Sequence, residues 1–131
     1  MADYVFRYRL QSAPTARNDG SGCVDHDIYA EYEPVGNGGY VIVPGRHKTI
    51  SVPAVELAAA LATGTNGQKA TAYKDALASN LNTLPVPVSG WATAQLEALM
   101  DANDAATAAA TEANEFITVD LGLTYPVSFT I

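Results

Sequence analysis

The hydrophobic and polar positions change period along the chain, and the changes mark its elements. Residues 4–10 alternate: Tyr4, Phe6, Tyr8 and Leu10 take one side, and Val5, Arg7 and Arg9 the other. That period of two predicts a half-buried strand. Residues 11–24 contain Pro14 and the run Asn18-Asp19-Gly20-Ser21-Gly22, which predicts an exposed loop. Alternation returns over Asp27–Glu33, with Ile28, Ala30 and Tyr32 opposed to Tyr29, Glu31 and Glu33. The turn formers Gly36-Asn37-Gly38-Gly39 then lead into Tyr40-Val41-Ile42-Val43, the pattern of a β-hairpin. Pro44-Gly45 predicts another turn. Arg46–Val52 predicts another strand, in which Arg46, Lys48 and Ile50 alternate with His47, Thr49 and Ser51.

The period becomes helical at Ser51. Ser51 is placed to cap a helix, and Pro53 suits its first turn because the missing N–H has no partner to lose there. Val55, Leu57, Ala58 and Leu61 form its apolar stripe, and Gly64 ends it. A second helix is predicted from Gln68 to Asn82, with Ala70, Tyr73, Leu77 and Leu81 on one face. Leu84-Pro85-Val86-Pro87-Val88 excludes helix and predicts an extended crossing. The longest helix is predicted from Trp91 to Asn114, with Leu96, Leu99, Met100 and Asn103 continuing a buried stripe from Trp91 or Ala92. Its second half, Ala105–Ala113, is mostly alanine and threonine. It buries little area, so it either packs tightly against backbone or stands exposed. Phe116–Leu123 and Tyr125–Ile131 read as two closing strands.

Strands, then helices, then strands predict the α+β class. The expected architecture is one domain over 1–131. A mainly antiparallel sheet or small sandwich is built from N- and C-terminal strands (about 4–52 and 116–131), with three helices (about 52–114) inserted between them.

Composition agrees with a folded domain. With 48% hydrophobic and 16% charged residues the chain lies outside the disordered class. No apolar run reaches the roughly 18 residues of a membrane span. The N-terminal MADYVFRYRL also lacks the continuous apolar stretch of a signal peptide. The expectation is a protein that is not secreted. The single cysteine, Cys23, excludes an internal disulfide.

Charge changes the picture more. All seven lysines and arginines (Arg7, Arg9, Arg17, Arg46, Lys48, Lys69 and Lys74) lie before residue 75, among seven acidic residues. The remaining seven acidic residues follow with no basic one, so the net −7 belongs to the C-terminal part. Such a field disfavours nucleic acid and anionic membranes as partners of that part.

Candidate chemistry is sparse. Cys23-Val24-Asp25-His26-Asp27 gathers potential metal ligands, but a structural zinc site draws four ligands from two spaced pairs, and His47 is the only other histidine. The expected reading is a loop-to-strand entry with solvated Asp and His. Asp101, Asn103 and Glu112 match positions 1, 3 and 12 of a calcium loop, yet Ala105 and Ala106 occupy positions that need a ligand and a glycine. The glycine runs match no phosphate-binding signature, and no spacing selects a nucleophile with its base. Neither catalytic residues nor a cofactor are expected. Arg7 with Arg9, and Arg46 with Lys48, would form a basic stripe if their strands were neighbours. Asp101, Asp104 and Glu112 would present an acidic helix surface. These residues are the candidates for protein interaction: the basic sheet of one copy meeting the acidic helix of the next closes a ring head to tail.

The turn Val43-Pro44-Gly45-Arg46-His47-Lys48-Thr49, the Ala/Thr-rich helix Asp101–Asn114 and the terminal β-runs together resemble small structural proteins of bacteriophage virions. That resemblance implies a non-enzymatic subunit of a symmetric head, neck or tail assembly, located in the virion. Its partners would be copies of itself or other structural proteins. Two other readings compete. One is a monomeric acidic adaptor or inhibitor engaging a basic partner, and the other a small enzyme using the Cys23–His26 neighbourhood; outside a phage particle the location expected is the cytoplasm.

Overall fold

In the computed structural model, which describes residues 4–34 and 38–130, the period-two segments build one five-stranded antiparallel sheet. Its strands are β1 (Val5–Leu10), β2 (Thr15–Ala16), β3 (Cys23–Glu33), β4 (Val41–Pro53) and β5 (Val127–Thr130). β3 is central. β1 and β2 pair with successive parts of one edge (Leu10 with Ile28, Thr15 with Asp25), and β4 runs along the other. β5 joins β1, Tyr8 opposite Phe129, so the two ends of the chain meet in one sheet. The helices α1 (Ala54–Ala62), α2 (Asn66–Ser79) and α3 (Thr93–Glu115) lie between β4 and β5 in sequence. This is the α+β arrangement that the segregated pattern predicts.

The strand boundaries differ from expectation in two places. Part of the predicted loop 11–24 is strand: β2 pairs with Val24 and Asp25, and β3 begins at Cys23 opposite Pro53. The glycine run masks the apolar start of β3. Pro44-Gly45, read as a turn, instead lies inside the single long β4. Tyr29 pairs with His47 and Glu31 with Ile42, so residues 43–46 bulge opposite Ala30 alone. Gly45 takes φ +72° there, and the outer edge of β4 is unpaired among the described residues, so Pro44 interrupts no ladder. The hairpin glycine Gly36, Asn37 and the terminal Ile131 lie outside the described residues.

The predicted strand Phe116–Leu123 is a correction. α3 runs on into a π-helical turn, Phe116–Asp120, in which the Leu121 N–H donates to the Phe116 carbonyl at 2.9 Å. Phe, Ile, Thr and Val favour strands. Here the buried face Ala106, Ala109, Ala110 and Ala113 continues with helical spacing to Phe116 and Ile117, and packing overrides propensity.

The predicted caps also divide. Ser51 is not a helix cap: it is a buried β4 residue whose hydroxyl donates to Asp25 at 2.7 Å. The first N–H of α1, from Ala54, is satisfied by the Gly22 carbonyl at 2.8 Å. At α2 a capping box forms between Thr65 and Gln68, which starts the helix two residues before Gln68.

The core lies between one sheet face and the helices. Leu10, Val24, Ile28, Ile50 and Val52 meet Leu57 and Leu61 of α1, Tyr73 and Leu77 of α2, and the four buried alanines of α3. The helices cover only one end of that face. Along β1 exposure falls from Tyr4 and Phe6 to a sealed Leu10, and along β4 from Val41 to a sealed Ile50. The first half of α3 also departs from expectation. Leu96 and Met100 are 41% and 54% exposed, Trp91 precedes the helix and is 89% exposed, and Leu99 and Asn103 on that stripe are half-buried.

Candidate functional site

The cluster at residues 23–27 is divided by strand geometry. In β3 successive side chains point to opposite faces. Cys23, Asp25 and Asp27 therefore take the open face and His26 the helix-covered one. The expected solvated histidine is instead fully buried. Its Nδ1–H donates to the Val24 carbonyl at 3.1 Å, and its Nε2 accepts the Tyr73 hydroxyl proton at 2.7 Å. Burial holds the imidazole down at about 4 and pushes the Tyr73 phenol up. Tyr73 is stacked in turn on Phe116 and Phe129, so His26 is a neutral hydrogen-bonding member of the core. Cys23 is buried too, and burial raises its thiol, the reverse of an activated nucleophile.

The open face of the sheet carries paired charges. Glu31, 4% exposed, accepts from Arg7 at 2.7 Å, Arg9 at 3.4 Å and Ser128 at 3.1 Å. Tyr40 lies over the Arg7 guanidinium, 3.6 Å from its ring centroid. Arg17 bridges Asp19 at 3.0 Å and Asp25 at 3.3 Å. The Ser21 side chain and amide, with Arg17, draw the Asp19 carboxyl down to about 2. Asp27 pairs with His47, whose ring stacks on Tyr29.

No continuous basic stripe forms. β1 and β4 lie on opposite edges of β3, and Arg7 and Arg9 are neutralised by Glu31 on the open face. Lys48 faces the other way, opposite Ile28, and with Arg46 rims a cleft of about 420 Å³. Tyr8, Ile28, Ala30 and Leu81 line its apolar part, at the end of the sheet the helices leave bare. Arg46 donates to the Gly45 carbonyl at 3.1 Å, and Lys48 to the Leu81 carbonyl. Neither forms an ion pair among the described residues.

The acidic candidates lie on α3. Asp101 and Asp104 share an exposed face, and Glu112 lines a shallow cleft of about 270 Å³ with Lys69, Glu115 and Asp120. Pattern reading missed two highly exposed apolar residues on the strap between α2 and α3. Leu84 and Val86 are 84% and 81% exposed, while Val88 is held inward by its N–H to the Asp19 carbonyl, 2.9 Å. Alternation would place Leu84, Val86 and Val88 on one side of an extended segment, so the split between the first two and Val88 comes from the tie to Asp19 and not from the pattern. Among the described residues no helix is long and apolar enough to cross a membrane. The chain matches no protein-family model, no curated protein and no solved structure.

Proposed function

We propose that the chain is a non-enzymatic structural subunit that builds a symmetric oligomer, a component of a phage head, neck or tail particle. The observation that carries this reading is the run of apolar side chains left outside the fold from the strap into α3: Leu84, Val86, Trp91, Leu96 and Met100. Grouped exposure of large apolar residues marks interaction surfaces, and tryptophan is enriched where binding energy concentrates. The placement of the titratable groups favours a structural role: His26 and Cys23 are committed to the core, and Glu31 to an ion-pair network. The phage particle itself comes from the resemblance of the 43–49 segment, the Ala/Thr-rich helix and the terminal runs.

Absolute mass by light scattering on a sizing column, across concentration and salt, tests the proposal. A discrete oligomer that loses mass in Trp91→Ala is the expected result. A monomer at every concentration would reject it and favour the acidic adaptor, whose support is the exposed carboxylate face of α3 at Asp101 and Asp104.

A further inference from the structure

We infer that the cleft rimmed by Arg46 and Lys48 receives the strap and first turns of α3 of a second copy, so that subunits join head to tail. The inference rests on the structural-subunit reading and names its contact. Three observations converge on this occupant. First, the cleft joins an apolar lining, Tyr8, Ile28, Ala30 and Leu81, to two cations that only backbone carbonyls satisfy among the described residues. Its natural occupant is therefore an apolar side chain flanked by carboxylates. Second, among the described residues the largest such combination is where Trp91, Leu96 and Met100 stand exposed beside Glu97, Asp101 and Asp104. Val119 beside Glu115 and Asp120 offers a single apolar side chain, and Lys69 already borders it. No lysine or arginine lies beyond residue 74 to offset them. Third, the other arginines are already engaged: Arg7 and Arg9 hold Glu31, and Arg17 holds Asp19 and Asp25. The unspent positive charge of the sheet is thus concentrated at the cleft.

The two surfaces are different patches of one molecule, so the contact is heterologous. Its repetition closes a ring where the rotation per subunit permits, and otherwise gives a filament. Trp91 is the anchor, and the carboxylates set orientation and salt dependence.

Trp91 is the only tryptophan, so its fluorescence reports the contact directly. At low salt, concentrating the protein shifts the emission to the blue as mass rises. Arg46→Glu/Lys48→Glu and Asp101→Lys/Asp104→Lys each weaken association by about 10- to 100-fold, since like charges then face each other. All four positions are exposed, and unchanged melting temperatures verify that both variants fold. Mixing the two variants in equal amounts restores association, because each reversed surface then meets its complement. If both variants associate like the parent, or the mixture stays apart, the contact is wrong while the subunit reading survives. A parent protein that never associates removes the subunit reading itself.

Discussion

The two halves of α3 have exchanged the environments that their side chains would select. The half rich in leucine and methionine overhangs the fold, with Leu96 and Met100 about half exposed. The half rich in alanine is sealed: Ala106 and Ala113 are fully buried, and Ala109 and Ala110 nearly so. Area alone would assign the opposite, since burying a leucine contributes roughly 1.5–3 kcal/mol and a methyl far less. The difference is one of approach distance. Alanine lets α3 lie close to α1 and the β2–β3 edge, and close-packed contact there is continued by Phe116 and Ile117. The first half leans on the fold chiefly at Leu99, whose Cα would lie 3.1 Å from a Cβ on Gly20. The lesson is that large side chains outside and small ones inside separate two tasks within one helix. The alanine half fixes the fold, and the leucine half stands free for the contact proposed above.

The largest test of that division uses acid, because the sealed half closes on the Tyr73–His26 pair through Phe116. His26 titrates at about 4 when folded and near 6.5 when unfolded. Between those values the unfolded chain binds the extra proton. Stability is therefore full above pH 6.5 and falls as pH drops to 4, by about 3 kcal/mol in all. Urea unfolding across this range checks it, and in His26→Gln that slope flattens. A smaller effect comes from Ala113→Leu, which overpacks the sealed half and costs about 2 kcal/mol by the same assay. The smallest is expected in the overhanging half. Met100→Gln should change stability by less than about 0.5 kcal/mol, because the residue is half exposed and glutamine favours helix. A loss well above that would mean the first half supports the monomer after all.

Sequence pattern made the sheet faces and the helix order legible, because both follow from local periodicity. Leu10, Ile28 and Ile50 point inward as alternation requires. Coverage was not legible. Tyr4 and Phe6 obey the same alternation as Leu10 yet remain exposed, since the helices stop short of them. Period tells which face a residue takes, and only tertiary packing tells whether anything lies over that face. The candidate site followed the same rule. Arg46 and Lys48 could be named from alternation, but the cleft between them and Leu81 depends on where α2 ends. The consumption of Arg7 and Arg9 by Glu31 depends on strand order, which the sequence leaves open.

The bulge at Gly45 has a consequence for how an assembly could grow. A long free strand edge is a template on which further chains add by main-chain hydrogen bonding, the route to fibrous aggregates. β4 supplies such an edge, thirteen residues long, but residues 43–46 bow out of the ladder and carry a proline and a positive charge. Copies held at high local concentration are thereby discouraged from zipping backbone to backbone. An assembly of the proposed kind would then grow through side-chain contacts, whose number and angle are finite and which can be undone. The kink in one strand thus guards that edge against the backbone zipping from which amyloid grows.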